Sequence, residues 1–335
     1  MQPRSQQDVA LQTLKVQRWI VVLSVVLLSL KFLAYLLTHS MAIFTDALES
    51  IVNVVAGGIT LYSLYIAAMP RDTNHPYGHG KAEFISASVE GGLILVAGIW
   101  IIYEAISRLI TPEPLQRIDS GVMLTAVTAV INFGAGHFAE KTGKKNNSPA
   151  ITATGKHLKS DAWSTGGIIA GLLVVMITKI AWIDSAVALL FGGIIIVTGI
   201  KILRESLAGI MDEADEALLE RMVTLLNSNR RPNWIDLHNL RIIKYGSKLH
   251  VDCHVTMPWY LNVLEAHEEI SMLQKLITDE FGDSIELFTH TDGCLPSSCF
   301  ICIKEDCNVR QHPFERKVEW TVQNIFENKK HDIKS

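Results

Sequence analysis

Glu49-x-x-x-Asn53 and His157-x-x-x-Asp161 each set two metal-capable side chains four residues apart within a long apolar stretch of the chain. Residues at that spacing share one face of a helix. Two such helices placed face to face would surround one divalent cation with two carboxylates, an imidazole and an amide oxygen. This mixed nitrogen and oxygen set suits Zn²⁺ and tolerates Fe²⁺, Co²⁺ or Mn²⁺. Hydrogen bonding between helices would explain Ser50 and Asn53 by themselves. It explains Glu49, His157 and Asp161 poorly, because each ionisable group costs about 2.5–3.5 kcal/mol inside hydrocarbon. A bound dication offsets that cost. His157 also brings a coupling device: an imidazole with a reference pKa near ~6.5 binds metal only when neutral, so protons and cation compete for it.

A second ligand-rich run is Cys294-x4-Cys299-x2-Cys302-x4-Cys307. Four thiolates at these spacings can close a tetrahedral structural zinc site. The same residues could hold an iron–sulfur cluster or stand as free thiols. The fifth cysteine, Cys253, alternates with Val251 and Val255 and is expected in a core.

The elements that must carry these residues differ along the chain. The net charge is only -4, but residues 212–335 hold 35 of the 64 charged side chains, leaving the first 211 residues mostly apolar. A membrane-spanning helix needs roughly 20 apolar residues. Six stretches come close, at about 19–37, 41–68, 84–109, 120–139, 157–181 and 183–203. Lys15, Arg18, Arg71, Lys81, Lys141, Lys144, Lys145 and Lys156 flank one side, and mainly Arg108, Arg117 and Lys179 flank the other. The positive-inside rule then puts both termini in the cytosol of a protein of the plasma (inner) membrane. Residues 38–40 are expected to form a tight hairpin, and 70–83 and 140–155 to form longer polar loops. The paired glycines Gly57-Gly58, Gly91-Gly92, Gly166-Gly167 and Gly192-Gly193 are expected to admit close helix approach.

Beyond Asp212 the pattern changes to short elements: a helix over 213–228, strands at 237–245 and 248–257, a helix over 263–281 and a strand at 285–290. This order, αββαβ, predicts a small metallochaperone-like α+β domain with an antiparallel sheet. Alternation sends Val251, Cys253 and Val255 to one face and His250, Asp252 and His254 to the other. The expected organisation is a cytosolic N-terminal segment (1–18), an all-α six-helix transmembrane domain (19–207), a cytosolic α+β regulatory and dimerisation domain (208–293) and a Cys-containing extension (294–335). The sequence beyond about 308 shows no periodicity.

The ligand pairs in spans two and five, the loop Asn74-His-Pro-Tyr-Gly-His-Gly-Lys-Ala-Glu83 and His157-Leu-Lys-Ser-Asp161 together resemble the cation diffusion facilitator family, over roughly residues 15–294. The resemblance implies a homodimeric exporter of divalent metal, coupled to proton entry and working by alternating access. It assigns Glu49, Asn53, His157 and Asp161 to the transport site and gives Asp46 a supporting role. It implies a loop site at Asp72, His75 and His79, and an ion pair between Lys81 and Asp212. A regulatory cluster follows at His238, His254, His267, His290 and Asp292. Zinc-type members carry a second carboxylate where this chain has Asn53, so the preference for Zn²⁺ is loosened.

Competing classes fare less well. A helical His-Glu-x-x-His arrangement, which a zinc hydrolase would need, is absent: His267-Glu268-Glu269-Ile270-Ser271 lacks the second His, and no enzyme activity is expected. No basic stripe with interleaved aromatics marks a nucleic-acid partner. A membrane-anchored metal sensor is the alternative, but it has no need of carboxylates buried between spans.

Overall fold

The apolar stretches form helices longer than the stretches themselves. The computed structural model describes residues 6–38, 41–111, 119–178, 182–246, 248–282 and 285–332. The hairpin residues His39 and Ser40, together with Arg117 and Lys179, lie outside the described residues, as do the side chains of Asp46, Glu49 and Arg108. The chain divides into a helical unit, Gln7–Met211, and a second unit that includes Asp212–Ser335.

Among the described residues the helical unit comprises α1 (Gln6–Thr38), α2 (Met41–Ala67), α3 (Ala82–Ile110), α4 (Asp119–Lys145), α5 (Pro149–Thr178) and α6 (Trp182–Ile210). Two described spans, Leu11–Leu33 and Ala82–Ser107, are long and apolar enough to cross a membrane. The bundle buries polar side chains beside its apolar clusters and leaves many large apolar ones outside. Gln17, Lys31, Thr60, Glu90, Asn132, Thr154 and His157 are buried, while Val22, Val26, Val96, Trp100, Val130 and Val197 are exposed. A contiguous apolar exterior of this kind marks a surface that faces something other than water.

α3 packs along α6, and α4 along α5. Glycine decides both contacts. A Cβ on Gly91 would lie 2.9 Å from the Leu203 backbone nitrogen, and one on Gly155 would collide with the Glu140 backbone. Of the paired glycines, Gly58, Gly92, Gly166 and Gly193 face open space, whereas Gly91 and Gly192 make close approaches to a neighbouring helix.

The segment 140–155, expected as a polar loop, is instead helical except for Asn146-Asn147-Ser148. Its polar groups find partners within and across helices: Glu140 accepts from Lys144 one turn along α4 at 2.6 Å and from Lys159 of α5 at 2.9 Å, and Ser148 bonds Glu83. Asn147 makes the turn at φ 51°, a left-handed conformation that Asn tolerates.

In the second unit α7 (Glu216–Ser228) precedes β1 (Asp236–Tyr245), β2 (Lys248–Met257), α8 (Val263–Phe281) and β3 (Ile285–Gly293). Asp215 caps α7, and Asn262 with Glu265 forms a capping box on α8. The sheet order is β1-β2-β3. β1 and β2 are antiparallel, but β2 and β3 are parallel, which corrects the expected antiparallel sheet. The physical reason is α8, a crossover that returns the chain to the starting edge. Val251, Cys253 and Val255 face a core with Met222, Leu226, Leu273 and Ile277. Burial pushes the Cys253 thiol up to about 12, so it is an inert core residue.

The extension after β3 has little regular structure beyond a 3₁₀ helix at Pro296–Phe300, yet it completes this core. Trp320 and Ile325 are fully buried within it. The Arg230 guanidinium lies 4.1 Å from the Trp320 ring, and Asn227 bonds the Trp320 backbone in both directions. β1 loses register between His238 and Arg241, with Asn239 at φ 52°. This bulge turns the Asn239 and Leu240 N–H groups outward, where the carbonyls of Glu327 and Ile325 accept them at 2.9 Å each.

Trp320→Ala should therefore cost about 3–5 kcal/mol in this unit, seen as a lowered melting temperature of the detergent-solubilised chain. An unchanged melt would show that the extension is dispensable to the core. Glu269 offers a pH test. Burial pushes its carboxyl up, but hydrogen bonds from Arg231 and Asn233 outweigh this and hold it below the usual range. The stabilisation is thus present above about pH 4.3 and lost as pH falls through the lowered value. Glu269→Gln should cost about 1–2 kcal/mol at neutral pH, given a half-exposed Arg231. The gap to the parent should narrow in melts as the pH is taken below about 4.3.

Candidate metal sites

α2 and α5 bring Asn53, His157 and Asp161 into one knot. His157 Nε2 lies 2.7 Å from Asn53 Oδ1 and 3.5 Å from Asp161 Oδ2, and Asn53 Nδ2 donates to Asp161 Oδ2 at 2.5 Å. His157 and Asp161 are one helical turn apart, as their spacing requires. Glu49 and Asp46 belong to α2, but their side chains lie outside the described ones.

Glu90 of α3 is the residue that the spacing argument overlooked. It is 2% exposed and accepts from Thr60 of α2 at 2.5 Å and Thr154 of α5 at 2.6 Å. Its second oxygen has no hydrogen-bond partner among the described residues, and its charge is felt at His157 and Asp161. The signal was available: Glu90 is a carboxylate inside an apolar span, costly for the same reason as Glu49. Lys31 of α1, also buried, is close enough for Asp161 to feel its charge.

Among the described residues, two groups bring three ligand atoms within 4.8 Å of one another. The first is Asp72, His75 and His79, in the loop between α2 and α3. His75 Nδ1 lies 3.0 Å and His79 Nε2 3.5 Å from the Asp72 carboxylate. Backbone N–H groups of His75 and Asn74 close the turn on Asp72, and hold its carboxyl below the usual range. Gly78, at φ 92°, bends the chain so that His79 returns toward Asp72. Lys81 follows, its ammonium donating to the Ile210 carbonyl at 3.4 Å; Asp212 falls in the second unit.

The second group is His238, His254 and Asp292. Strand register builds it: His238 pairs with His254 across β1 and β2, and His254 with His290 across β2 and β3, so three imidazoles form one row. Asp292 Oδ2 lies 3.6 Å from His238 Nε2 and 3.4 Å from His254 Nδ1. His290, 3.9 Å from the other oxygen, stands at the exposed end. Burial and the neighbouring His238 push the His254 pKa down, which keeps it neutral and able to ligate. His267 lies exposed on α8 and is not part of this group. Behind His238, Asp236 lies 3.3 Å from its Nδ1 and 2.6 Å from His331 Nδ1. Burial raises the Asp236 carboxyl, but these two histidines outweigh it and hold it well below the carboxylate range. His331 lies outside any pattern legible in the sequence. His250 is buried against Tyr245 and Phe288, a packing role.

Cys294, Cys299, Cys302 and Cys307 all line one pocket of the second unit as free thiols, with no three of their sulfurs within 4.8 Å of one another.

Residues 18–211 match the cation efflux transmembrane domain, and residues 214–294 match the cytoplasmic domain of cation efflux proteins. The chain is 30% identical over 288 residues to an uncharacterized transporter of Synechocystis, covering 86% of this chain and 89% of that one. It is 24% identical to the cation-efflux pump FieF of Shewanella oneidensis, over 79% of this chain and 89% of the pump. It is 26% identical to the manganese efflux system protein MneS of Bacillus subtilis, over 76% and 87%. The chain belongs to the cation diffusion facilitator family.

Membership makes the helical unit a membrane domain for divalent metal efflux and the mixed sheet its cytoplasmic domain. The family is one of transporters rather than an enzyme class. Glu90→Gln keeps an acceptor for both threonine hydroxyls and removes only the charge. If that charge supports cation binding, metal affinity should fall about tenfold or more, read as a raised KM for uptake into proteoliposomes. An unchanged KM would make Glu90 purely structural.

Proposed function

We propose that the chain exports a divalent cation, Zn²⁺ foremost with Fe²⁺, Mn²⁺ and Co²⁺ as rivals, in exchange for protons. The observation that carries this reading is the knot of Asn53, His157 and Asp161 between α2 and α5. Its donor and acceptor atoms now satisfy one another. A cation in their midst would replace those contacts, and protonation of His157 would expel it. Glu49 completes the ligand set, with Asp46 in support. Opening the knot alternately to the two sides of a six-helix domain then turns a proton gradient into export. The apolar exterior of the bundle supports a membrane setting, with both termini in the cytosol.

The cytoplasmic sites belong to the same proposal. Asp72, His75 and His79 would take a cation at the loop. His238, His254, His290 and Asp292 would sense metal in the cytosol, with His267 contributing from elsewhere in a homodimer. A bound ion favouring one arrangement of the cytoplasmic domains shifts the population toward it. The four cysteines of the extension would hold a structural Zn²⁺.

Uptake of Zn²⁺, Fe²⁺, Mn²⁺ and Co²⁺ into proteoliposomes carrying a metal-responsive dye, with and without a pH gradient, tests the proposal. One metal should enter in a gradient-dependent manner, and His157→Ala and Asp161→Ala should abolish entry while the protein still folds. Asn53→Asp, which adds a charge to the knot, should change the metal ranking. Binding without uptake of any of the four would overturn export in favour of a membrane-anchored sensor.

A further inference from the structure

The extension poses a physical problem that the export reading leaves untouched. Residues 294–332 form no strand and no helix longer than the five-residue 3₁₀ turn, yet they run over the sheet to bring His331 against Asp236. An irregular segment of this length loses much conformational entropy on ordering. Its anchors in the main core, Trp320 and Ile325, lie in its second half, whereas the first half, 294–312, buries only Ile301 and Cys302 of its apolar side chains and is otherwise fastened by the groups around its thiols.

That first half closes around the thiol pocket. Cys294 leaves β3 with its N–H donated to the Met257 carbonyl at 2.8 Å, which ties it to the end of β2. Cys299 and Cys302 flank the end of the 3₁₀ helix, and the Cys302 N–H lies 3.4 Å from the Cys299 carbonyl, a turn that puts both side chains on one side. Arg310 gathers the backbone of the hook, donating to the carbonyls of Cys299 at 2.9 Å, Cys302 at 3.1 Å and Lys304 at 2.5 Å. Lys304 also lines the pocket. A divalent cation with four thiolates keeps two negative charges; the Arg310 guanidinium lines the pocket and is placed to offset them, while the Lys304 ammonium is shared with Asp306 at 3.2 Å.

We infer that Cys294, Cys299, Cys302 and Cys307 bind a zinc-class cation whose presence fastens the extension to the sheet, and so holds His331 behind the His238–Asp236 pair. The inference deepens the reading of these cysteines as ligands and stands apart from transport. Filling the thiolate site stabilises the hook; the hook fixes the path of the strap; and the strap supplies the carbonyls that cover Asn239 and Leu240 and the imidazole that orients Asp236. A soft-ligand site thereby sets the order of a second, His/Asp site on the same domain.

Co²⁺ titration of the full-length protein in detergent, followed by absorption, tests the first half of this. One equivalent should produce thiolate-to-Co²⁺ charge transfer with tetrahedral ligand-field bands, in the parent protein and without need of a variant. Hydrogen exchange tests the second half. Chelation, or the C299S/C302S variant, should raise exchange at the Asn239 and Leu240 amides by about tenfold or more. No thiolate absorption, an iron–sulfur chromophore in the protein as purified, or disulfides found by mass spectrometry would overturn the site. Thiolate absorption with unchanged exchange at both amides would overturn the fastening. Neither readout depends on transport, so failure of the export reading would leave both intact.

Discussion

Polar groups held inside an apolar helical bundle are the constraint from which the rest of this structure follows. His157, Asp161 and Asn53 cannot leave their hydrogen-bonding capacity unmet at that depth, so they bond one another across α2 and α5. Glu90 extends the arrangement to α3 through two threonine hydroxyls. One Glu90 oxygen is left without a hydrogen-bond partner among the described residues.

The helices around the knot are adapted to keep it. Close approach at Gly91 and Gly155 brings α3 to α6 and α4 to α5 with backbone nearly in contact. Ion pairs at Glu140, and Lys156 with Glu205 at 2.7 Å, tie α4, α5 and α6 together. In the cytoplasmic domain the equivalent device is strand register. Pairing β1, β2 and β3 residue for residue lines up three histidines that are far apart along the chain, and α8 makes that pairing possible by returning β3 parallel to β2.

The extension changes how this domain should be viewed. The family match ends at residue 294, but the core does not. Trp320 and Ile325 fill it, Arg230 stacks on the Trp320 ring, and His331 reaches the Asp236 carboxylate. A segment outside the shared domain is thus part of the packing and of the hydrogen bonding behind the His238–His254–Asp292 group. The bulge at Asn239 and Leu240 makes room for it, by offering two backbone donors that a regular strand would have turned elsewhere.

Period and spacing alone determined the division into apolar and charged halves, the αββαβ order, the inward face of β2 and the shared helix face of His157 and Asp161 on α5. Each of these is a local property, since side-chain direction repeats every 3.6 residues in a helix and every two in a strand. What the tertiary structure decided depends on groups distant in sequence. Glu90 matters because Thr60 and Thr154 meet it; residues 140–155 are helical because their polar groups bond across helices. His254 joins His238 and Asp292 while His267 does not, and the irregular strap after residue 308 orders only where β1 gives it partners. Periodicity carries no information about such meetings, because they are made by packing rather than by the neighbours of each residue along the chain.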